Sequence, residues 1–377
     1  MHVAVDALGI KHSGGATILL DFLHAALDDP RVSLVTVFCS PRAVRRFDLP
    51  LSPKLHSVEH PLAEHSYLAR IWWFQVSLAR KCRRIGADVL VCMVGSGRVH
   101  DNPPHVTFIQ QSLPFSVEAL QYCGPRMRVQ MRVLKELFRS SCDTAQHIVV
   151  QTPTMKRWVS EHFDIPANRV DVVLPDVHLE RFSSDVRASD RSDLDATDNL
   201  TILYVGNDAP YKNVNRVIEG IELMRKTTPN VTLQVTWSID HPICQQPGVE
   251  CLGFLSPDRL VQAYRQATIL VMPSLVETVG LPLLEAMSLN VPVLAADRPY
   301  ARDVCNDAAL YFDPLSVEDF ARKAHLLTSS EDLRRHLIEK GKLLTERRSL
   351  EASYARMVDI ILNTVNQRPV ASQQGMN

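Results

Sequence analysis

Short runs of Val, Ile and Leu recur along this chain, separated by longer stretches of helical period, and no other feature constrains the fold as much. In the first half the runs fall at 2–7, 33–39, 88–94, 105–110, 147–151 and 170–174. In the second half they fall at 201–205, 232–237, 249–254, 268–273, 292–296 and 308–312. They are continuously apolar rather than alternating, which predicts strands buried on both faces in parallel sheets covered by helices. Between them, Val214, Val217, Ile218 and Ile221 recur at helical spacing. Ser256-Pro257 offers an N-cap followed by a proline at the first helical position, and Ser316 with Asp319 has the spacing of a capping box. A length of 377 residues exceeds one ordinary core and suits two domains. The expectation is therefore an α/β protein with two tandem doubly wound, Rossmann-like domains facing across a cleft.

The polar stretch Ser183–Asn199 has no aromatic residue and five aspartates, and reads as the linker between a first domain, 1–182, and a second, 200–349. Tyr354, Met357, Val358, Ile361 and Val365 form one apolar stripe, predicting a terminal helix over 350–366 with a tail at 367–377. Lysines and arginines number 41 against 42 acidic residues, a net charge of −1, so no overall field recruits nucleic acid. The first residues lack a basic region and a long apolar run, so no secretory signal is expected. No stretch reaches the roughly 18 to 20 apolar residues that span a bilayer. The eight cysteines form no C-x-x-C pair and have no histidine at ligand spacing. They are expected to be reduced, buried thiols of a cytoplasmic protein rather than a disulfide frame or a metal site.

Open α/β sheets bind ligands at the carboxyl ends of their strands, so the residues following each run carry the search for chemistry. Neither G-x-G-x-x-G nor the P-loop pattern occurs. The strongest pattern is Pro273-Ser274-Leu275-Val276-Glu277-Thr278-Val279-Gly280-Leu281-Pro282-Leu283-Leu284-Glu285. Here a strand gives way to a loop, Gly280 permits close backbone approach, and Pro282 suits the first turn of a helix. Amides at such a helix start can hold a diphosphate. Glu285, one turn in, can accept from two neighbouring hydroxyls, as on a ribose. A loop glutamate and a helix glutamate that are merely solvated would look the same. In Tyr204-Val205-Gly206-Asn207-Asp208-Ala209-Pro210-Tyr211-Lys212, a lysine stands near a helix start where it can neutralise a phosphate; an ordinary exposed first-turn lysine is the alternative. Gly14-Gly15, after the first strand, can let backbone amides touch a phosphate or sugar, or simply form a tight turn.

Taken together, Glu277 and Glu285 with seven residues between them, Gly280-Leu281-Pro282, Pro292-Val293-Leu294-Ala295-Ala296-Asp297, Lys212 after Gly206, Gly14-Gly15 and Asp307-Ala308-Ala309-Leu310-Tyr311-Phe312-Asp313-Pro314 resemble the retaining glycosyltransferases of family 4 (glycosyltransferase group 1), which have the GT-B fold. The resemblance is weak before residue 147 and strong from 201 to 330. It implies a hexosyltransferase that moves a sugar from a nucleoside-diphosphate sugar to a glycan or lipid-linked acceptor with retention of configuration. Such enzymes serve polysaccharide or lipopolysaccharide biosynthesis. The donor-binding set it implies is Gly14, Gly15, Gly206, Asn207, Lys212, Ser274, Thr278, Val279, Gly280, Leu281 and Glu285. Glu277 would contact the transferred sugar and Lys212 the diphosphate, with no metal and no cofactor. The terminal helix would return to the first domain. Two departures stand out: Asn207 replaces an arginine common in the family, and Gln110 stands where many members carry a histidine. Gln110 would therefore orient the sugar, or the acceptor, by hydrogen bonds alone, while His105 reads as structural. A nucleotide-sugar 2-epimerase of the same architecture, or a non-catalytic sugar-nucleotide or glycan-binding subunit, fits many of the same residues.

Two stretches bear on where the acceptor is met. Residues 70–84 carry Arg70, Arg80, Lys81, Arg83 and Arg84 with Trp72, Trp73 and Phe74 and no acid, and residues 126–139 carry Arg126, Arg128, Arg132, Lys135 and Arg139 with only Glu136 against them. Both suit an anionic membrane surface, which would make the protein peripheral at the cytoplasmic face. Core aromatics beside a solvated basic face would produce the same composition.

Overall fold

The computed structural model describes residues 1–10, 13–41, 43, 47–60, 72–95, 103–175, 200–347 and 350–366. The linker 183–199, the tail 367–377, and Arg70 and Ile71 of the first basic stretch lie outside these. The chain divides into two compact units, one drawn from 1–115, 126–175 and 351 onward, the other from 116–125 and 176–350.

The first unit is built on seven parallel strands: β1 (His2–Asp6), β2 (Leu34–Cys39), β3 (Leu55–Glu59), β4 (Val89–Cys92), β5 (His105–Phe108), β6 (His147–Val150) and β7 (Val170–Val172). Their order is β3-β2-β1-β4-β5-β6-β7. The apolar runs anticipated all of these except β3. Leu55–Glu59 is an edge strand whose side chains are half-buried or exposed, so backbone pairing with β2 forms it and no apolar run announces it. The last helix, Leu350–Asn366, packs Tyr354, Met357, Val358 and Ile361 as a buried stripe, and its Asp359 pairs with Arg31 at 2.7 Å.

The second unit is a six-stranded parallel sheet: β8 (Leu200–Tyr204), β9 (Val231–Val235), β10 (Val249–Cys251), β11 (Ile269–Met272), β12 (Val293–Ala296) and β13 (Ala309–Phe312), in the order β10-β9-β8-β11-β12-β13. Chain order reverses between β8 and β11, so the loops leaving these two strands diverge at the switch point and leave a crevice. Val214, Val217, Ile218 and Ile221 face the core as their spacing predicts, on the helix Val214–Arg225. Ser256 caps the helix Pro257–Gln266 through the Arg259 amide. Ser316 likewise accepts from the Asp319 amide, but the Asp319 carboxylate turns back to the Asp313 amide, so only half of the capping box forms.

The cysteines divide. Six are buried free thiols, as expected. Cys244 and Cys251 are instead joined in a disulfide, which corrects the reading of all eight as reduced. Only six residues lie between them, and the turn Pro242–Gln245 folds back along the edge strand β10 and brings their Cα atoms to 5.6 Å, a separation only the backbone path determines. No helix among the described residues is long and apolar enough to cross a membrane.

Candidate donor site at the switch point of the second sheet

β8 ends at Tyr204 and the chain turns at Gly206, where φ is +154°. A Cβ there would lie 2.6 Å from the Tyr204 hydroxyl, so the turn requires glycine. The turn is held from three sides. Tyr204 donates to the Asn207 carbonyl at 2.9 Å, the Trp237 indole N–H donates to the Gly206 carbonyl at 2.8 Å, and the Gly206 amide donates to Thr236 Oγ1 at 3.2 Å. Asn207 itself is exposed, its side-chain oxygen accepting from the Ala209 amide.

The chain then makes a 3-10 turn over Pro210–Lys212, and Asn213 adopts left-handed backbone with φ +61° before the helix begins. Asn213 is buried, and its amide nitrogen donates to the Pro314 carbonyl at 2.7 Å and to the Pro273 carbonyl at 3.3 Å. The Leu275 amide donates to the Tyr211 carbonyl at 2.9 Å. These bonds stitch the loop after β8 to the loop after β11.

The stitching brings Lys212 to Glu277. Their Nζ and Oε1 atoms are 2.5 Å apart and each side chain is 14% exposed. Burial by itself would lower the Lys212 pKa. The Glu277 carboxylate, the neighbouring Tyr211 and the hydrogen bond to Glu277 outweigh it, so the ammonium lies above its ordinary range and stays charged. Beyond Glu277 and Thr278, Val279 and Ser274 are buried, so their backbones are what the loop presents. The Ser274 carbonyl accepts from Tyr300 at 3.0 Å. Gly280 has φ +77°, and a Cβ on it would sit 2.9 Å from the Met272 methyl. It starts the helix Leu281–Ser288 with Pro282 in the first turn, placing a positive helix end at the crevice.

Glu285 lies one turn along that helix and is half-buried. Its Oε2 accepts from Tyr264 at 2.5 Å. Tyr264 is fully buried, and burial together with the Glu285 charge raises its pKa well above normal, so it remains a phenol donor. Sequence reasoning missed Tyr264 because it follows Val261 at i+3 and reads as core. It missed Asn213 and Trp237 because their partners lie 60, 101 and 31 residues away.

The remaining predicted residues belong to the first unit. Gly14 and Gly15 fall in the first turn of the helix Ser13–Asp28. Gln110, just past β5, donates through Nε2 to the Met93 carbonyl at 2.9 Å. His105 is buried, with its pKa lowered to about 4 by desolvation, which agrees with a structural role. Among the described residues, no group of three or more His, Cys, Asp or Glu side chains could hold a metal ion.

Two family models match this chain: "Glycosyltransferase Family 4" over residues 13–181 and "Glycosyl transferases group 1" over residues 244–344. The chain belongs to these glycosyltransferases. As a group 1 glycosyltransferase it resembles the O-antigen chain mannosyltransferase B of Escherichia coli, 27% identical over 225 residues, 55% of this chain and 57% of that one. The chain thus spans about half the length of the curated relatives it matches. Among solved structures, WaaG, "a glycosyltransferase involved in lipopolysaccharide biosynthesis", superposes with a TM-score of 0.73 at 16% identity, covering 95% of this chain and 99% of that one. Anabaena HepE, solved in complex with UDP and glucose, superposes with a TM-score of 0.67 at 14% identity, covering 97% and 100%. These structural likenesses establish the GT-B fold of the glycosyltransferase.

Proposed function

We propose that this protein transfers a hexose from a nucleoside-diphosphate sugar to a glycan or glycolipid acceptor, with retention of anomeric configuration and without a metal. The observation that carries the reading is the Lys212–Glu277 pair beside the helix end at Gly280, with Glu285 one turn further in. The UDP and glucose bound by HepE and the O-antigen chain mannosyltransferase of E. coli support the donor and acceptor classes.

Breaking a sugar–phosphate bond places negative charge on the departing diphosphate. Lys212 and the amides at the start of Leu281–Ser288 meet that charge, and they are already in place before it develops. Glu277 holds Lys212 ionised and positions the sugar. Glu285, backed by Tyr264, takes the ribose hydroxyls. Asn207 and Gln110 are neutral hydrogen-bonding groups in this reading, and Gly14 and Gly15 offer backbone amides. With attack on the face the diphosphate leaves, the departing phosphate oxygen can accept the acceptor's proton, and no separate base is required.

The acceptor is met at an anionic membrane surface. Arg80, Arg83 and Arg84 are exposed, as is Trp72 at 51%. Trp73 and Phe74 are not available to a membrane: both are buried, and the Trp73 indole N–H donates to Asp6 at 3.0 Å. The three adjacent aromatics therefore divide into one surface residue and two core residues. The helix Pro125–Thr144 exposes Arg126, Arg128 and Arg132 together with Met127, Val129 and Val133 around its first turns, basic residues interleaved with apolar anchors.

The test is thermal shift with UDP-, GDP-, ADP- and dTDP-sugars, followed by the anomeric configuration of the product. A donor at 100 times its dissociation constant should add about 2.7 kcal/mol of stability. No shift with any of the four would sink the donor assignment. Turnover of the donor at C2 without acceptor would replace transfer by epimerisation.

A further inference from the structure

We infer that the Cys244–Cys251 disulfide is a thiol-exchange site that controls how firmly the second unit grips its donor; this rests on the donor reading above. The disulfide stands apart from the other cysteines in reach and in reactivity. Cys39, Cys82 and Cys142 are buried, and burial pushes each thiol up to about 12, while Cys92, Cys123 and Cys305 are also buried. Cys244 and Cys251 are only half-buried, in a turn and at the end of an edge strand. A dithiol reductant can reach this bond and none of the other sulfurs. In a reducing compartment such a bond is exchangeable rather than permanent.

What the bond secures is the loop 236–245, and this loop holds the Gly206 turn. Thr236 Oγ1 accepts from the Gly206 amide, and the Trp237 indole donates to the Gly206 carbonyl. The Trp237 carbonyl accepts from the Gly253 amide at 2.9 Å, just beyond Cys251. His241 packs against the Trp237 ring at 4.8 Å, faces Asp208 with Nε2 at 3.5 Å, and caps the Pro242–Gln245 turn by accepting the Ile243 amide on Nδ1. One end of the loop thus supports the turn that leads to Lys212, and the other end is fastened to β10 through Cys244. Reduction takes two electrons and two protons from the dithiol, which closes to its own disulfide, and leaves two thiols. The far end of the loop then keeps the short turn, the Ile243 packing and the His241 contacts but loses its covalent tie to β10, and the support under Gly206–Asp208 loosens.

The experiment compares oxidised protein, protein reduced with dithiothreitol and the Cys244→Ser/Cys251→Ser variant in two readouts. The first is amide hydrogen exchange over 236–245; the second is affinity for UDP-glucose and GDP-mannose as probes. Reduction is expected to speed exchange across the loop and weaken whichever probe binds by roughly five- to tenfold, a usual size for coupling between sites. The double variant should match the reduced protein and ignore dithiothreitol. Equal exchange and equal affinity in the two redox states would overturn the proposal, as would a double variant that still responded to reductant. If neither probe binds in any state, the donor reading fails by itself. The exchange readout then still decides whether the disulfide holds the loop.

Discussion

The two sheets share a parallel, doubly wound topology and differ in what stands at the carboxyl ends of their strands. In the second unit, Asn213 and the Leu275 amide tie together the loops flanking the switch point, and an ion pair sits where they meet. In the first unit β1 ends on the buried Asp6, whose carboxyl accepts from the Trp73 indole, and β3 ends on Glu59. Just past β5 stands the neutral Gln110, bonded to the Met93 carbonyl. In the second unit the loops build the charge, and each half-buried ion stands beside its counter-ion. On the proposed reading, the ion pair of the second unit meets the diphosphate.

The strongest way to break this contrast is Lys212→Ala. Loss of a group that meets the leaving charge should lower kcat about 100- to 1000-fold, with a smaller rise in donor KM. The substitution strands Glu277, so circular dichroism must show a native fold first, and Lys212→Ala/Glu277→Gln provides the variant without a stranded charge. Glu277→Gln should cost little if the residue only positions; near-abolition would restore a nucleophile role. Normal turnover by folded Lys212→Ala would mean the crevice is misassigned.

Next in size is docking to vesicles by the first unit. Changing Arg126, Arg128 and Arg132 to Glu should weaken sedimentation with anionic vesicles by at least 100-fold, since each basic residue near such a surface is worth about 1 kcal/mol. Reversing three basic residues of the second unit's helix Glu331–Glu346 should not. Equal losses from both helices would point to general charge rather than a docking face.

The donor side can be sharpened with Tyr264→Phe, which deletes the hydroxyl that holds Glu285. A hydrogen bond to a carboxylate is worth about 1.5 kcal/mol or more, so donor KM should rise roughly tenfold with kcat little changed, and Glu285→Ala should act in the same direction and further. A fall in kcat alone would place Glu285 in the chemical step instead.

Gly280→Ala against Gly86→Ala compares the units through their backbones. Both glycines have positive φ, but nothing lies within 4 Å of a Cβ on Gly86, whereas one on Gly280 would strike the Met272 methyl. Gly86→Ala should cost about 1 kcal/mol in chemical denaturation, and Gly280→Ala up to about 2 kcal/mol, accompanied by loss of donor binding.

The smallest effect is on pH. Because folding holds His105 at about 4 against an ordinary 6.5, its contribution is complete above pH 6.5 and is lost as pH falls toward 4. Between pH 7 and pH 6 this should remove about 0.7 kcal/mol, and His105→Gln should flatten that slope. Lys212, raised rather than lowered, contributes below its ordinary range and loses its charge only in strong alkali, so it adds no slope near neutrality.

Every parallel strand except β3 could be read from its apolar run, because burial on both faces leaves a local mark in composition. Caps at Ser256 and Ser316 were legible for the same reason: a side chain and an amide three residues apart in one chain need no tertiary help. The spacing of Glu277, Gly280 and Glu285 located the loop and the helix start that follow β11. What only the tertiary structure decided are the contacts made across the sheet order. Lys212 meets Glu277 across 65 residues, Tyr264 meets Glu285 across 21, and Trp73 turns inward to Asp6 across 67 while Trp72 faces solvent. Edge strand β3 and the Cys244–Cys251 bond belong with these, since one depends on a neighbour's backbone and the other on a fold-back. Period and composition record how each residue sits on its own element, whereas pairings depend on which elements the sheet sets side by side.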